Sequence, residues 1–175
     1  MPNRREFVRT VAGATAGMYV MGRGEAAAAL QAPGARRQVM VGGRRVRVVD
    51  IHTHWDMPLP ADVVKGTPFE QFMEGGSGLD ERLPILDREG IDIGVVGVND
   101  FWWYEPNDPG LARAICNVHN ETLAMWNRRH PDRIVGMASV PLQFPDLAAE
   151  MLQDAVERLG ARGVTIGGHV NGEHL

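Results

Sequence analysis

Two imidazoles stand one residue apart in His52-Thr53-His54, at the end of the run Val46-Arg47-Val48-Val49-Asp50-Ile51. Alternate strand residues point the same way, so the spacing predicts a strand with Val46, Val48, Asp50, His52 and His54 on one face. Neutral imidazoles held this close are good ligands for zinc and similar divalent ions. His169, after Val164-Thr165-Ile166-Gly167-Gly168, sits near the end of another β-type run and is a third candidate ligand. Singly, each is an ordinary strand-end histidine. Their shared placement at strand ends points to a metal.

The elements that must position these rings alternate. After the first strand an irregular stretch runs from Trp55 to Gly78. Leu79 to Glu89 then predicts a short helix, with Leu79, Leu83 and Leu86 on one side and Gly90 as its stop. Ile91 to Val98 is almost continuously apolar, as in a strand buried on both faces. Pro109 opens a helix to Arg129 that Pro131 closes, and Ile134 to Val140 predicts a third strand. Asp146 is a candidate cap for a helix whose apolar stripe includes Leu147, Met151, Ala155 and Leu159, ending at Gly160. Gly163 to Val170 predicts the fourth strand. The order β-α-β-α-β-α-β implies a parallel sheet with helical crossovers, either an open doubly wound sheet or a barrel. No Gly-rich nucleotide fingerprint follows a strand, which gives the dinucleotide-binding version little support; if the α/β fold is a (β/α)8 TIM barrel it is a partial one, with about the first four strands and three helices.

Three segments divide the 175 residues. Residues 1–29 carry Arg4-Arg5-Glu6-Phe7, a short apolar run and a small-residue site ending near Ala29, resembling a twin-arginine export signal. This predicts a periplasmic protein, with a cytoplasmic one as the alternative. The apolar run is too short to span a membrane. Residues 30–44 read as linker and turn, and the cluster Arg36, Arg37, Arg44, Arg45 and Arg47 as a solvated lead-in. Residues 45–175 form the barrel segment. Lys plus Arg total 18 against 22 Asp plus Glu, a net charge of −4 that argues against nucleic acid as a partner. The lone Cys116 lies in an apolar helical pattern and reads as a buried small hydrophobe.

Val49-Asp50-Ile51-His52-Thr53-His54 resembles the opening motif of the amidohydrolase superfamily. His130-Pro131-Asp132-Arg133-Ile134-Val135-Gly136-Met137-Ala138-Ser139-Val140-Pro141 and Leu159-Gly160-Ala161-Arg162-Gly163-Val164 resemble its amidohydrolase-2 branch. That branch includes aminocarboxymuconate-semialdehyde decarboxylase and related aromatic-acid decarboxylases. Gly163 to Gly172 is similar to that decarboxylase's third metal-ligand segment. The resemblance implies that residues 45–175 are the N-terminal half of an amidohydrolase-type barrel, with His52, His54 and His169 as metal ligands. It implies zinc, with manganese as the alternative, and a small carboxylic acid, unsaturated or aromatic, as substrate. The reaction would be decarboxylation (carbon–carbon lyase) or hydrolysis. The family's catalytic His after strand five and metal-binding Asp after strand eight have no counterpart here, so no catalytic residue is assigned. The alternatives are a truncated non-catalytic fragment, able to close as a homodimer of half-barrels, and a periplasmic metal-binding module.

Among the remaining residues, Trp55, Trp102 and Trp103 are candidate substrate contacts because they follow the first two strands, where barrel loops shape the pocket. Asp50 is either a partner of the histidines or a charge satisfied below the mouth. Asn99 and Asp100 share the second strand's end. His119 and His130 read as structural and His174 as exposed.

Overall fold

The computed structural model describes residues 36–74 and 78–174; the export signal expected over residues 1–29 lies outside them. Within the stretch expected to be linker and turn, Gly42 and Gly43 take φ of 56° and 74°. Two successive left-handed residues match the twist of a tight hairpin. Accordingly, β1 (Val39–Val41) pairs antiparallel with β2 (Arg44–Val46).

A three-stranded parallel sheet follows in the order β3-β4-β5: β3 (Val49–Trp55), β4 (Ile93–Val98) and β5 (Ile134–Gly136). The connection from β3 holds a one-turn helix, α1 (Ala61–Val64), a 3₁₀ turn (Glu70–Met73) and α2 (Leu79–Glu89). Gly90, at φ 77°, stops α2 as its position predicts, its N–H reaching Asp87 O at 3.2 Å. α3 (Pro109–Arg129) starts on Asp108, whose carboxylate accepts from Leu111 N at 2.6 Å, with Pro109 in the first turn. α4 (Pro145–Glu157) has Phe144 at its cap, so Asp146 stands in the first turn rather than capping. Among the described residues no helix is long and apolar enough to cross a membrane.

Alternation along β4 separates two faces. Val96 and Val98 enter the core with Leu86, Ile115, Leu123, Trp126 and Ile134 from the helices and β5. Val95 and Gly97 face a hollow on the other side. The fourth strand expected over Gly163–Val170 is much shorter. It is one parallel bridge, Ala138 to Val164, flanked by bonds from Ala138 N to Gly163 O (2.8 Å) and Thr165 N to Ala138 O (2.9 Å). The chain then leaves the sheet. Asn171 and Gly172, at φ 49° and 91°, turn β6 (His169–Val170) back onto β7 (Glu173–His174). An Asn-Gly pair is a strong short-range hairpin signal, and here it overrides continuation of the strand.

Below the sheet, part of the arginine cluster is not simply solvated. The buried Asp92 carboxylate accepts from Val48 N at 2.8 Å and pairs with Arg45 and, at 3.5 Å, Arg36. Arg133 pairs with Asp87 at 2.8 Å and donates to Asp92 O at 2.8 Å, so the N-terminal ends of all three strands are tied together. The Val48 bond, with the two guanidinium groups, holds the Asp92 carboxyl below the usual carboxylate range. Inside the core, the His119 ring lies 5.4 Å from both Trp102 and Trp103, edge-on, with neither nitrogen hydrogen-bonded. Burial pushes its pKa down to about 3.

Two stability tests follow from these groups. Asp92→Ala removes a backbone bond and two ion pairs and should lower unfolding free energy by about 1–3 kcal/mol. The Asp92 contribution is present above about pH 4 and lost as pH falls through its lower folded value, so the variant should lack that acid-limb loss in urea titrations. His119 stays neutral in the folded chain while an unfolded histidine takes a proton near 6.5. Its stability contribution is therefore complete above about pH 6.5 and lost as pH falls toward about 3, on the order of a few kcal/mol. His119→Phe should flatten unfolding free energy between pH 6.5 and 4; a slope equal to wild type would rule this out.

Candidate metal centre

His52 lies within, and His54 just beyond, an irregularity in the pairing of β3 with β4. Asp50 pairs with Gly94 and Thr53 with Val96, so β3 carries one extra residue. A bulge of this kind breaks strict alternation and re-aims the side chains after it. Asp50 supports the irregular backbone: its carboxylate accepts from Thr53 Oγ1 at 2.6 Å and from His52 N at 3.1 Å. The Thr53 bond, joined by the His52 amide and the charge of Arg82, lowers the Asp50 pKa despite partial burial. Of the two roles open to Asp50, the structure shows a carboxylate that holds the His52 amide and the Thr53 hydroxyl.

The result is a converging pair of rings. His52 Nε2 and His54 Nε2 are 2.7 Å apart, with ring centroids at 4.5 Å and planes tilted by 51°. At that separation one nitrogen carries a proton toward the other's lone pair, or both lone pairs face a cation. His54 Nδ1 is buried without a hydrogen-bond partner. Both rings border a hollow of about 520 Å³ lined also by Ile51, Val95, Phe101, Met137, Val164 and the Gly167-Gly168 backbone. No Asp, Glu, Lys or Arg lines it, and Thr53 and Thr165 are among its polar residues. Two imidazoles meeting at one point match the donor chemistry of a divalent metal ion, as two of its ligands.

The third expected ligand is placed differently. His169 is exposed in β6, receives Gly172 N at Nδ1 (3.4 Å), and does not border the hollow, whose lining runs only to Gly168. Among the described residues no three His, Cys, Asp or Glu side chains are grouped to hold a metal. Convergence of all three rings is thus replaced by convergence of two, because the chain departs from the sheet after Val164.

Nor do the expected tryptophan contacts reach this hollow. Trp55 is in the core, its ring 4.4 Å from Trp126 and beneath the Arg82 guanidinium. Strand alternation explains this: Trp55 shares the face of buried Thr53, opposite the two imidazoles. Trp103 is fully buried and donates its indole N–H to Val140 O at 3.2 Å. Trp102 is half-buried, stacks on Phe72 at 3.9 Å, and borders a separate hollow with Asp56, Glu74 and Asp100. The aromatic side chain that does face the imidazoles' hollow is Phe101. Its signal was its place directly after Asn99-Asp100 at a strand end. Cys116 is buried as expected, and burial raises its thiol pKa.

Comparison with known proteins adds kinship to this geometry. The chain is 31% identical over 99 residues to 2-amino-3-carboxymuconate-6-semialdehyde decarboxylase of Dictyostelium discoideum, covering 55% of this chain and 27% of that protein. It is 35% identical over 89 residues to gamma-resorcylate decarboxylase of Rhizobium radiobacter, covering 51% and 27%. Among solved structures, 2,6-dihydroxybenzoate decarboxylase from Rhizobium superposes with a TM-score of 0.57 at 28% identity, over 70% of this chain and 39% of that one. The manganese complex of 5-carboxyvanillate decarboxylase from Novosphingobium aromaticivorans with 4-hydroxy-3-methoxy-5-nitrobenzoic acid gives 0.54 at 26%, over 65% and 33%. The chain thus spans about a quarter of the length of these curated relatives and a third to two-fifths of the solved chains. The sheet and helices match part of the barrel of these neighbours, as the alternating sequence predicts. With the family profile for amidohydrolases matching residues 49–175, the chain belongs to the amidohydrolase family.

Proposed function

We propose that this protein is a metal-dependent decarboxylase of an aromatic carboxylic acid, with His52, His54 and His169 as metal ligands. The observation that carries this is the 2.7 Å approach of two imidazole Nε2 atoms at a hollow in an amidohydrolase fold. His169, outside the hollow's lining, is proposed as the third ligand on the resemblance of the Gly163 to Gly172 segment alone. Manganese is favoured over zinc by the Novosphingobium relative, which is solved with manganese bound. When bound, a divalent ion supplies a Lewis acid able to polarise an oxygen of the substrate.

The chain's own residues do the rest. Asp50 holds the His52 amide and the Thr53 hydroxyl, and so sets where the two rings point. Ile51, Val95, Met137 and Val164 make part of the wall apolar, beside Thr53 and Thr165. Gly167 and Gly168 let a substrate approach the backbone closely. At about 520 Å³ the hollow has room for one small acid. Residues 1–29 are proposed to direct export, on the strength of Arg4-Arg5 and the short apolar run after them.

The test pairs metal binding with CO₂ release. Wild-type protein should bind Mn²⁺ and release CO₂ from 2,6-dihydroxybenzoate, and His52→Ala or His54→Ala should weaken Mn²⁺ binding on the order of 100-fold. Metal binding without CO₂ release from any aromatic acid would favour a metal-binding module. Hydrolysis of an amide or lactone without CO₂ would favour a hydrolase, and no metal binding at all would sink both enzyme readings.

A further inference from the structure

Gly97 on β4 faces the hollow, and the space in front of it is filled from two strands away. A Cβ added to Gly97 would overlap Thr165 Oγ1 and stand 3.3 Å from Thr165 Cβ. Between the two lies β5, which pairs with β4 on one side, while Ala138 just beyond it bridges to Val164 on the other. Side chains from alternate strands share a layer inside a parallel barrel, so the bare Gly97 is what lets Thr165 reach across. The pairing of β3 with β4 also sets His54 opposite Gly97. The Thr165 hydroxyl therefore stands level with the second imidazole, inside the hollow that both border.

Thr53 and Thr165 both bring hydroxyls to this lining. That of Thr53 is held by Asp50 at 2.6 Å. The Thr165 backbone N–H reaches Ala138 O at 2.9 Å, but its hydroxyl has no partner among the described residues. Thr165 is only half-buried, and its hydroxyl is not sealed from solvent as the orphaned His54 Nδ1 is. An unpaired hydroxyl in an open hollow completes its hydrogen bonds with water or with a ligand.

We infer that Thr165 is a substrate-binding residue: its hydroxyl donates to a carboxylate oxygen of the bound acid and turns that end of the molecule toward the imidazole pair. This rests on the decarboxylase reading above. No Lys or Arg lines the hollow, so the donor that Thr165 supplies there is a neutral one. A hydroxyl holds a carboxylate less tightly than a guanidinium would. That suits a group whose charge disappears as CO₂ departs, since tight pairing in the ground state alone would raise the barrier.

The full chain loaded with Mn²⁺ tests this, as wild type, Thr165→Val and Thr165→Ser. Each is titrated with 2-nitroresorcinol, followed by absorbance, and with resorcinol, followed by calorimetry. The nitro group stands where 2,6-dihydroxybenzoate carries its carboxylate, offers acceptor oxygens and cannot leave as CO₂; resorcinol lacks it. Valine keeps the shape of threonine without the hydroxyl, and should weaken 2-nitroresorcinol binding roughly three- to tenfold while Mn²⁺ and resorcinol affinities stay unchanged. Serine should restore the lost affinity. Wild-type binding of 2-nitroresorcinol by the valine variant overturns the role of Thr165 and leaves the decarboxylase reading standing. Weaker Mn²⁺ binding in that variant also overturns it, the hydroxyl then serving His54 Nδ1 instead. Equal weakening of resorcinol and 2-nitroresorcinol overturns it in favour of a packing role. If wild type binds no Mn²⁺, or Mn²⁺ but not 2-nitroresorcinol, the decarboxylase reading fails first and the inference falls with it.

Discussion

One residue more on β3 than on β4, between Asp50 and Thr53, governs how this sheet presents its side chains. Side chains alternate with a period of two, so a shift of one residue exchanges the faces of everything beyond it. Thr53 and Trp55, past the bulge, are buried, while His52 within it and His54 beyond it border the open hollow. An irregular backbone needs its amides and neighbouring hydroxyl satisfied, and Asp50 does this with both carboxylate oxygens. The approach of the two imidazoles, Nε2 to Nε2 at 2.7 Å, is built on that local arrangement.

The two ends of the sheet are built on different physical terms. At the N-terminal end, Asp92, Asp87, Arg36, Arg45 and Arg133 form charge-assisted bonds that join the hairpin, α2 and the strand starts. Such a network stabilises. At the C-terminal end the chain accepts strain instead, with two successive left-handed residues that are not glycine. Barrel enzymes divide stability and chemistry between the same two ends, and strain held by surrounding contacts is characteristic of functional sites.

Aromatic residues follow the same division. Trp55 and Trp103 give large apolar surfaces to the core, where Trp126 and His119 meet them. Phe101, braced by Trp103 and Tyr104, is left to face the hollow. Its other side lies against the Gly167 backbone, where an added Cβ would come 3.5 Å from Phe101 Cγ.

Much of this was legible locally. The alternation of strands and helices, the stops at Gly90 and Pro131, the opening of α3 at Pro109 and the shared face of His52 and His54 all follow from short-range periodicity and fixed φ preferences. So does the burial of Cys116, from its place in an apolar helical stripe. Tertiary structure decided what depends on distant neighbours. Whether Val164 to Val170 stays a strand depends on what it can pair with, and Asn171-Gly172 turned it into a hairpin instead. Which tryptophans are core depended on the bulge and on the helices behind the sheet. That Arg36 and Arg45 reach Asp87 and Asp92, about fifty positions away, is a matter of packing that no local pattern records. Sequence by itself determined the order of the elements and which residues could act; only the folded chain decided which of them meet, because pairing and burial are properties of contacts rather than of spacing.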